Sequence, residues 1–255
     1  FNPREYQAHN QVFTVAEAPS GLLYFAVYGV VLEFDGRTFR KIPVPTSWVR
    51  GLAAAPDGSI YVGASDELGV CVAGADGLPI YRSLLSLLPK KHLPLGNVWS
   101  AVWHDGAAWF STNTLVIRIQ GTTTRIWEFP DSARVKLASV AGELYLRRLG
   151  DALYRWRGGE FARLDAAPEL INSTYVSFTE DAPGALAATQ DGKLFRLRGD
   201  SVTEWESPLT TAVSSLGLLT LLRLRDGSLA AATLTSGVVL ATADGVPTAH
   251  FTEAT

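Results

Sequence analysis

The chain has 255 residues, with 22 Lys+Arg against 25 Asp+Glu, a formal net charge of -3 and 47% hydrophobic residues. Only 18% are charged, which excludes a charge-rich disordered chain, and the faint acidic balance gives no electrostatic footprint for nucleic acid or an anionic membrane. Apolar-rich runs such as Leu216–Leu222, which stops at Arg223, fall short of the roughly 18 residues of a spanning helix, and the lone Cys71 excludes a disulfide framework and a cysteine zinc site.

The chain carries no methionine and opens at Phe1, which reads as a mature or excised piece, with any targeting segments expected outside it.

Taken in chain order, one pattern repeats. A first strand at Gln11–Ala16 is followed by Gly21-Leu-Leu-Tyr-Phe, by Gly29-Val-Val-Leu-Glu-Phe and by the turn Asp35-Gly before a last strand, spanning 11–45. The second unit, 48–84, runs from Trp48–Ala55 through Asp57-Gly-Ser-Ile-Tyr-Val and Gly69-Val-Cys-Val-Ala to Asp76-Gly-Leu-Pro-Ile-Tyr. Further units follow at 98–130, 135–166, 174–207 and 218–252, whose second strands open at Gly106, Gly142, Gly184 and Gly227. Glycine at each turn supplies the positive φ that tight antiparallel hairpins need. No window of 12 residues holds an apolar stripe at helical spacing, although Leu84-Leu-Ser-Leu-Leu-Pro-Lys-Lys is expected to form a helical turn between units two and three. Six four-stranded meanders in one domain predict an all-β fold, a β-propeller forming a small six-unit ring or most of a seven-bladed one. Strands buried on both faces account for the apolar content without a membrane.

The residues also resemble a known family. Tyr6-Gln-Ala-His-Asn-Gln, Gly21-Leu-Leu-Tyr-Phe, Gly29-Val-Val-Leu-Glu-Phe-Asp-Gly and Ile42-Pro-Val are similar to the N-terminal sensor propellers of two-component regulator proteins. Val49-Arg-Gly-Leu, Ile60-Tyr-Val-Gly-Ala with Glu67-Leu-Gly, Tyr81-Arg-Ser-Leu, Val98-Trp, Leu224-Arg-Asp-Gly-Ser and Thr233-Leu-Thr-Ser-Gly-Val continue the likeness in the family's order. Val12-Phe13 and Phe39 depart from its habits. The resemblance implies a periplasmic sensor module of a membrane-anchored bacterial protein. It also implies further propeller repeats and an output domain beyond this piece, a carbohydrate or related small ligand, and no cofactor. A homodimer is one further expectation.

Motifs for chemistry are sparse. His9, His92, His104 and His250 fall in four separate segments without metal-ligand spacing, and the close His/Glu cluster on which streptogramin lyases depend is not visible. Glu180-Asp181 are adjacent on one strand or turn, which does not establish the opposed carboxylates of a glycosidase. The Asp-Gly pairs read as hairpin turns rather than calcium loops, each being solitary between strands.

A binding face is better supported. In a propeller, the connections between units and the turns between second and third strands gather function. Tyr28, Trp48, Arg50, Glu67, Trp99, Asn113, Arg148 and Tyr175, with Thr235, are placed there. Rings offer flat apolar contact and Arg, Glu and Asn oriented hydrogen bonds. Arg50 and Glu67 occupy positions that match the family and are expected to pair with each other. Arg147 and Arg148 are neighbours on a strand, so only one can face the ligand. Trp103, Trp109, Trp127, Trp156 and Trp205 read as core or rim packing. The expected function is therefore a non-enzymatic sensor, with a propeller glycosidase or lyase and a pure assembly module as alternatives.

Overall fold

Hairpin turns at Asp-Gly set the architecture. The Asp35 carboxylate accepts from the backbone N–H of Arg37 and Thr38 at 2.8 and 2.7 Å and from the Thr38 hydroxyl at 2.8 Å. These donors favour the charged form and hold the carboxyl down at about 2, with the Thr38 backbone N–H the largest cause. Asp57, Asp76 and Asp226 repeat the motif, each taking the N–H two residues on at 2.9–3.0 Å. The glycines that follow, such as Gly58 at φ +86°, supply the left-handed backbone the turn requires. The Asp-Gly pairs are thus hairpin turns, as their spacing predicts.

The computed structural model describes residues 3–131 and 134–252, and the chain divides into two compact units, Phe1–Leu137 and Ala138–Thr255. In the first unit, β1 (Val12–Glu17), β2 (Leu23–Phe34), β3 (Phe39–Ala54), β4 (Ile60–Ala64), β5 (Glu67–Ala73) and β6 (Pro79–Ser83) form one antiparallel sheet in sequence order. A four-stranded sheet follows, built from β7 (Ser100–His104), β8 (Ala107–Ser111), β9 (Leu115–Gln120) and β10 (Thr123–Glu128). The remaining three sheets are also four-stranded meanders. They are β11 (Val135–Val140) to β14 (Glu160–Leu164) by way of β12 (Glu143–Arg148) and β13 (Ala152–Arg157); β15 (Val176–Asp181) to β18 (Ser201–Glu204) by way of β16 (Gly184–Thr189) and β17 (Leu194–Arg198); and β19 (Leu218–Arg223) to β22 (Pro247–Phe251) by way of β20 (Leu229–Thr233) and β21 (Val238–Ala241).

Five blades are therefore present among the described residues, not the six or seven expected. The reason lies in β2 and β3. The Tyr24 hydroxyl donates to Glu33 at 2.7 Å, although a straight strand would hold residues nine apart about 30 Å from each other. The run β2 must double back, and Gly29 at φ +71° sits where it does so. Its second half pairs with Phe39–Pro43, whereas the later half of β3 pairs with β4 (Val49 with Ala64, Ala54 with Ile60). One uninterrupted β3 thus serves both of the first two repeats and joins them into a single sheet.

Each unit has its own apolar core. Val31, Ile42, Val49, Ile60 and Val62 pack together in the first unit, with Val98, Phe110 and Ile117 forming a second cluster there. In the second unit the clusters centre on Leu186, Leu209 and Leu221 and on Tyr145, Leu153 and Phe195. Each such side chain contributes roughly 1.5–3 kcal/mol when fully buried. Cys71 is a core residue, and burial, with Glu33 a lesser cause, pushes its thiol up to about 12, which leaves it inert as a nucleophile. Trp109 is 1% exposed, and Trp103 stacks on Tyr61 at 5.4 Å, both as packing residues.

The apolar run before unit three folds as two 3-10 turns, Leu85–Leu87 and Lys90–His92. Its far end is pinned to the β4–β5 turn: the Gly96 N–H donates to Asp66 at 2.6 Å and the Ser65 hydroxyl bonds the Asn97 amide oxygen at 2.9 Å. Two connectors between repeats contain short helices, α1 (Pro168–Asn172) and α2 (Pro208–Val213). Both open on proline, whose missing N–H costs nothing at a first turn. No helix among the described residues is long and apolar enough to cross a membrane.

Candidate functional site

The site assembles where one repeat passes into the next. Trp48 and Arg50 lie in β3 as it passes from one repeat to the next, Trp99 immediately precedes β7, and Arg134 immediately precedes β11. The close approach of β3 to β7 brings these side chains together. Gly51 faces the backbone of Ser100 and Ala101 so tightly that a Cβ there would lie 2.5 Å from the Ala101 nitrogen. Arg50 and Trp99, the preceding residues on the two strands, are consequently neighbours. Gly51→Ala must force the strands apart and is expected to cost about 1–3 kcal/mol by overpacking. A urea unfolding midpoint equal to the parent's would contradict that approach.

The result is a row of rings and guanidiniums within the first unit. His9 lies 5.7 Å from Tyr28 between ring centroids, and Tyr28 meets Trp48 edge-on at 5.1 Å. Phe13 meets Trp48 edge-on at 5.6 Å. The Arg50 guanidinium sits over three rings, 5.3 Å from Phe13, 5.2 Å from Trp48 and 4.7 Å from Trp99. Arg134 lies over Trp99 as well, at 4.4 Å. All are within the range in which a cation is attracted to an aromatic face, worth about 0.5–2 kcal/mol each. The Trp99 indole N–H donates to the Asn113 side-chain oxygen at 2.5 Å. Asn113 is itself held by a turn in which the Thr112 hydroxyl accepts from Thr114 and Leu115. Tyr28 and Trp48 remain 44% and 36% exposed, so one end of the row presents open aromatic surface.

Five expected residues, Tyr28, Trp48, Arg50, Trp99 and Asn113, are thus brought together. Glu67 is placed differently. It is 6% exposed and accepts from the Ser83 hydroxyl at 2.7 Å, as the first residue of β5 facing its own sheet. There, next to burial, its charge helps to push the Tyr81 hydroxyl far above its ordinary value. Phe13, His9 and Arg134 belong to the row and were missed. Arg134 had a signal, since it stands one residue before its strand as Trp99 does.

In the second unit, Arg148 pairs with Asp151 at 2.7 Å and donates to the Tyr154 hydroxyl at 3.2 Å. Arg147 turns the other way and is 3% exposed, as opposite faces require. Tyr175 also precedes its strand by one residue and is 38% exposed, with its carbonyl taken by the Ser173 hydroxyl at 2.7 Å. The Thr235 hydroxyl donates to the Leu216 carbonyl at 3.1 Å.

No family model matches the chain, and no curated protein is similar to it. Solved structures are similar in fold. A catalytically inactive virginiamycin B lyase from Staphylococcus aureus with quinupristin aligns at TM-score 0.70 and 13% identity, over 94% of this chain and 83% of the other. The WD40 β-propeller domain of Doa1 aligns at TM-score 0.69 and 12% identity, over 96% and 83%. The extracellular domain of a B. thetaiotaomicron protein named as a one-component system aligns at TM-score 0.66 and 15% identity, over 91% of this chain and 33% of that one. At such identities the likeness concerns fold alone, and the fold is an all-β propeller of antiparallel four-stranded blades.

Proposed function

We propose that the chain is a non-enzymatic binding propeller, the extracytoplasmic sensor part of a bacterial signalling protein, and that it recognises a carbohydrate. The observation that carries this reading is the exposed edge-on pair Tyr28 and Trp48 at 5.1 Å, continued by the Arg50–Trp99 stack. A sugar ring presents apolar C–H faces and a hydroxyl rim. Flat rings cover the first, and guanidinium and amide groups bond the second. The groups gathered here suit recognition better than bond cleavage, which needs an acid and a base set against the reacting bond. The sequence resemblance to sensor propellers and the fold likeness to an extracellular domain point the same way. That domain is three times longer than the stretch aligned, so the periplasmic location, further repeats, an output domain and a homodimer all belong to this proposal.

Titration of the tryptophan fluorescence with an oligosaccharide panel tests it. One class is expected to bind, to be recovered uncleaved, and to lose most of its affinity on Trp48→Ala. Turnover of the bound sugar would replace the sensor with an enzyme, and full affinity in Trp48→Ala would remove the aromatic pair from the site.

A further inference from the structure

We infer that the chain pairs with a second copy of itself through the outward face of its last sheet, β19 to β22. The inference rests on the homodimer included in the reading above, names the interface for it, and is independent of the carbohydrate. One face of this sheet is already spent: Leu229 and Ala241 are 0% exposed, Leu221 2% and Val239 3%, packed with Leu186 and Leu194 of the preceding sheet. The residues that alternate with them point the other way. An antiparallel sheet with water on one side reads polar on that side. Here, cross-strand pairing instead lines up Leu222, Ala230, Leu240 and Ala249 in one row, with Val238 beside Phe251 in the next. Leu222 is 55% and Phe251 53% exposed, and the other four are partly exposed. Single exposed apolar side chains are ordinary, whereas a contiguous apolar face marks a contact surface.

Charge, shape and area select a second copy as the occupant. Neither row carries a charged side chain, so the partner needs no complementary charge and an identical face meets the requirement. The first row alternates leucine with alanine. When a two-fold axis lays one sheet on the other, the leucines of each copy enter the alanine hollows of its partner. The four strands run four to six residues each, a face of roughly 19 by 17 Å. With the relief of the side chains, two such faces bury on the order of 1,000 Å² in all, the size at which specific contacts begin. A contact of that size is weak, with a Kd on the order of 10 μM.

The test is sedimentation velocity of the whole chain from about 1 to about 300 μM, a range that brackets such a Kd. The parent is expected to pass from monomer to dimer across it. Leu222→Glu and Phe251→Glu, each setting a charge on the face, should weaken the dimer roughly tenfold or more with a parental melting curve. Leu78→Glu, at a side chain 47% exposed in the first unit, is the control for general stickiness and should leave the dimer unchanged. A chain that stays monomeric throughout overturns this inference and the homodimer together. A dimer that survives both face variants, or that Leu78→Glu weakens as much, overturns the choice of face and leaves the homodimer standing.

Discussion

Asp181→Ala is expected to be among the most destabilising single substitutions in the second unit. Asp181 ends β15, is 7% exposed, and collects three arginines. Arg196 reaches it at 3.2 Å, Arg198 at 2.6 Å, and Arg223 from the neighbouring sheet closes the group. Arg198 also donates to the Asp181 carbonyl at 2.5 Å, and Arg223 to the carbonyls of Glu180 and Gly227, both at 2.8 Å. One carboxylate therefore ties β15, β17 and β19 across two sheets. Removing it leaves three cations facing one another with their acceptor gone. Breaking a buried pair from one side costs about 3–5 kcal/mol, and the partial exposure of Arg196 and Arg198, which can swing toward water, argues for the low end, about 3 kcal/mol. For a chain of this size that is a fall in Tm of roughly 6–12 °C. Arg196→Gln supplies the contrast. Its side chain is 37% exposed and its guanidinium already rests 4.2 Å over the Trp205 ring, so the loss should stay under about 1 kcal/mol. Thermal and urea unfolding of the two variants decide the matter. A smaller loss for Asp181→Ala than for Arg196→Gln would show that the carboxylate is not the organising group.

Which parts of this molecule could be read from its sequence follows from where local chemistry is decisive. Asp35, Asp57, Asp76 and Asp226 bond their own backbone within three residues, so the hairpins that follow are visible in short words of sequence. The fusion of the first two repeats is not local. Between Val44 and Trp48 there is no glycine and no Asx turn, only Pro45, Thr46 and Ser47, and proline is compatible with an extended edge as well as with a break. The sequence therefore shows two repeats and hides that one strand serves both. In the site, Trp48, Arg50 and Trp99 were legible because repeat register places each where one repeat passes into the next. Glu67 is buried because its position in the turn is also the first position of β5, where one residue's difference in register selects the buried face. Arg134 stood at the same register as Trp99 and Tyr175, and comparison of repeats rather than of residue types would have found it.

Arg147→Met is expected to be as damaging as the loss of Asp181, while the same change at its neighbour is nearly silent. Successive strand residues face opposite ways, and here the two arginines meet opposite fates. Arg147 is 3% exposed, and its guanidinium donates to the carbonyls of Ile171 at 3.0 Å and Ser173 at 2.7 Å, with Thr174 at 3.4 Å. Those carbonyls close α1 and lead into Tyr175 and β15, in a stretch whose own backbone pairing is spent on a helix of five residues. Methionine fills much of the volume but donates nothing. The connector's carbonyls then lose charge-assisted bonds worth about 1.5–3 kcal/mol each, and the total expected loss is about 3–5 kcal/mol. Arg147→Lys keeps the charge without the planar fork and should fall between. Arg148, by contrast, has a side chain 19% exposed and pairs with Asp151, itself 36% exposed, an arrangement worth about 0–1 kcal/mol. Unfolding midpoints for Arg147→Met, Arg147→Lys and Arg148→Met give the order. Hydrogen exchange at residues 170–175 locates the effect, because an anchored connector should lose protection in Arg147→Met and keep it in Arg148→Met. The reverse order would mean that the connector is held by its apolar contacts through Leu170 rather than by the arginine beneath it.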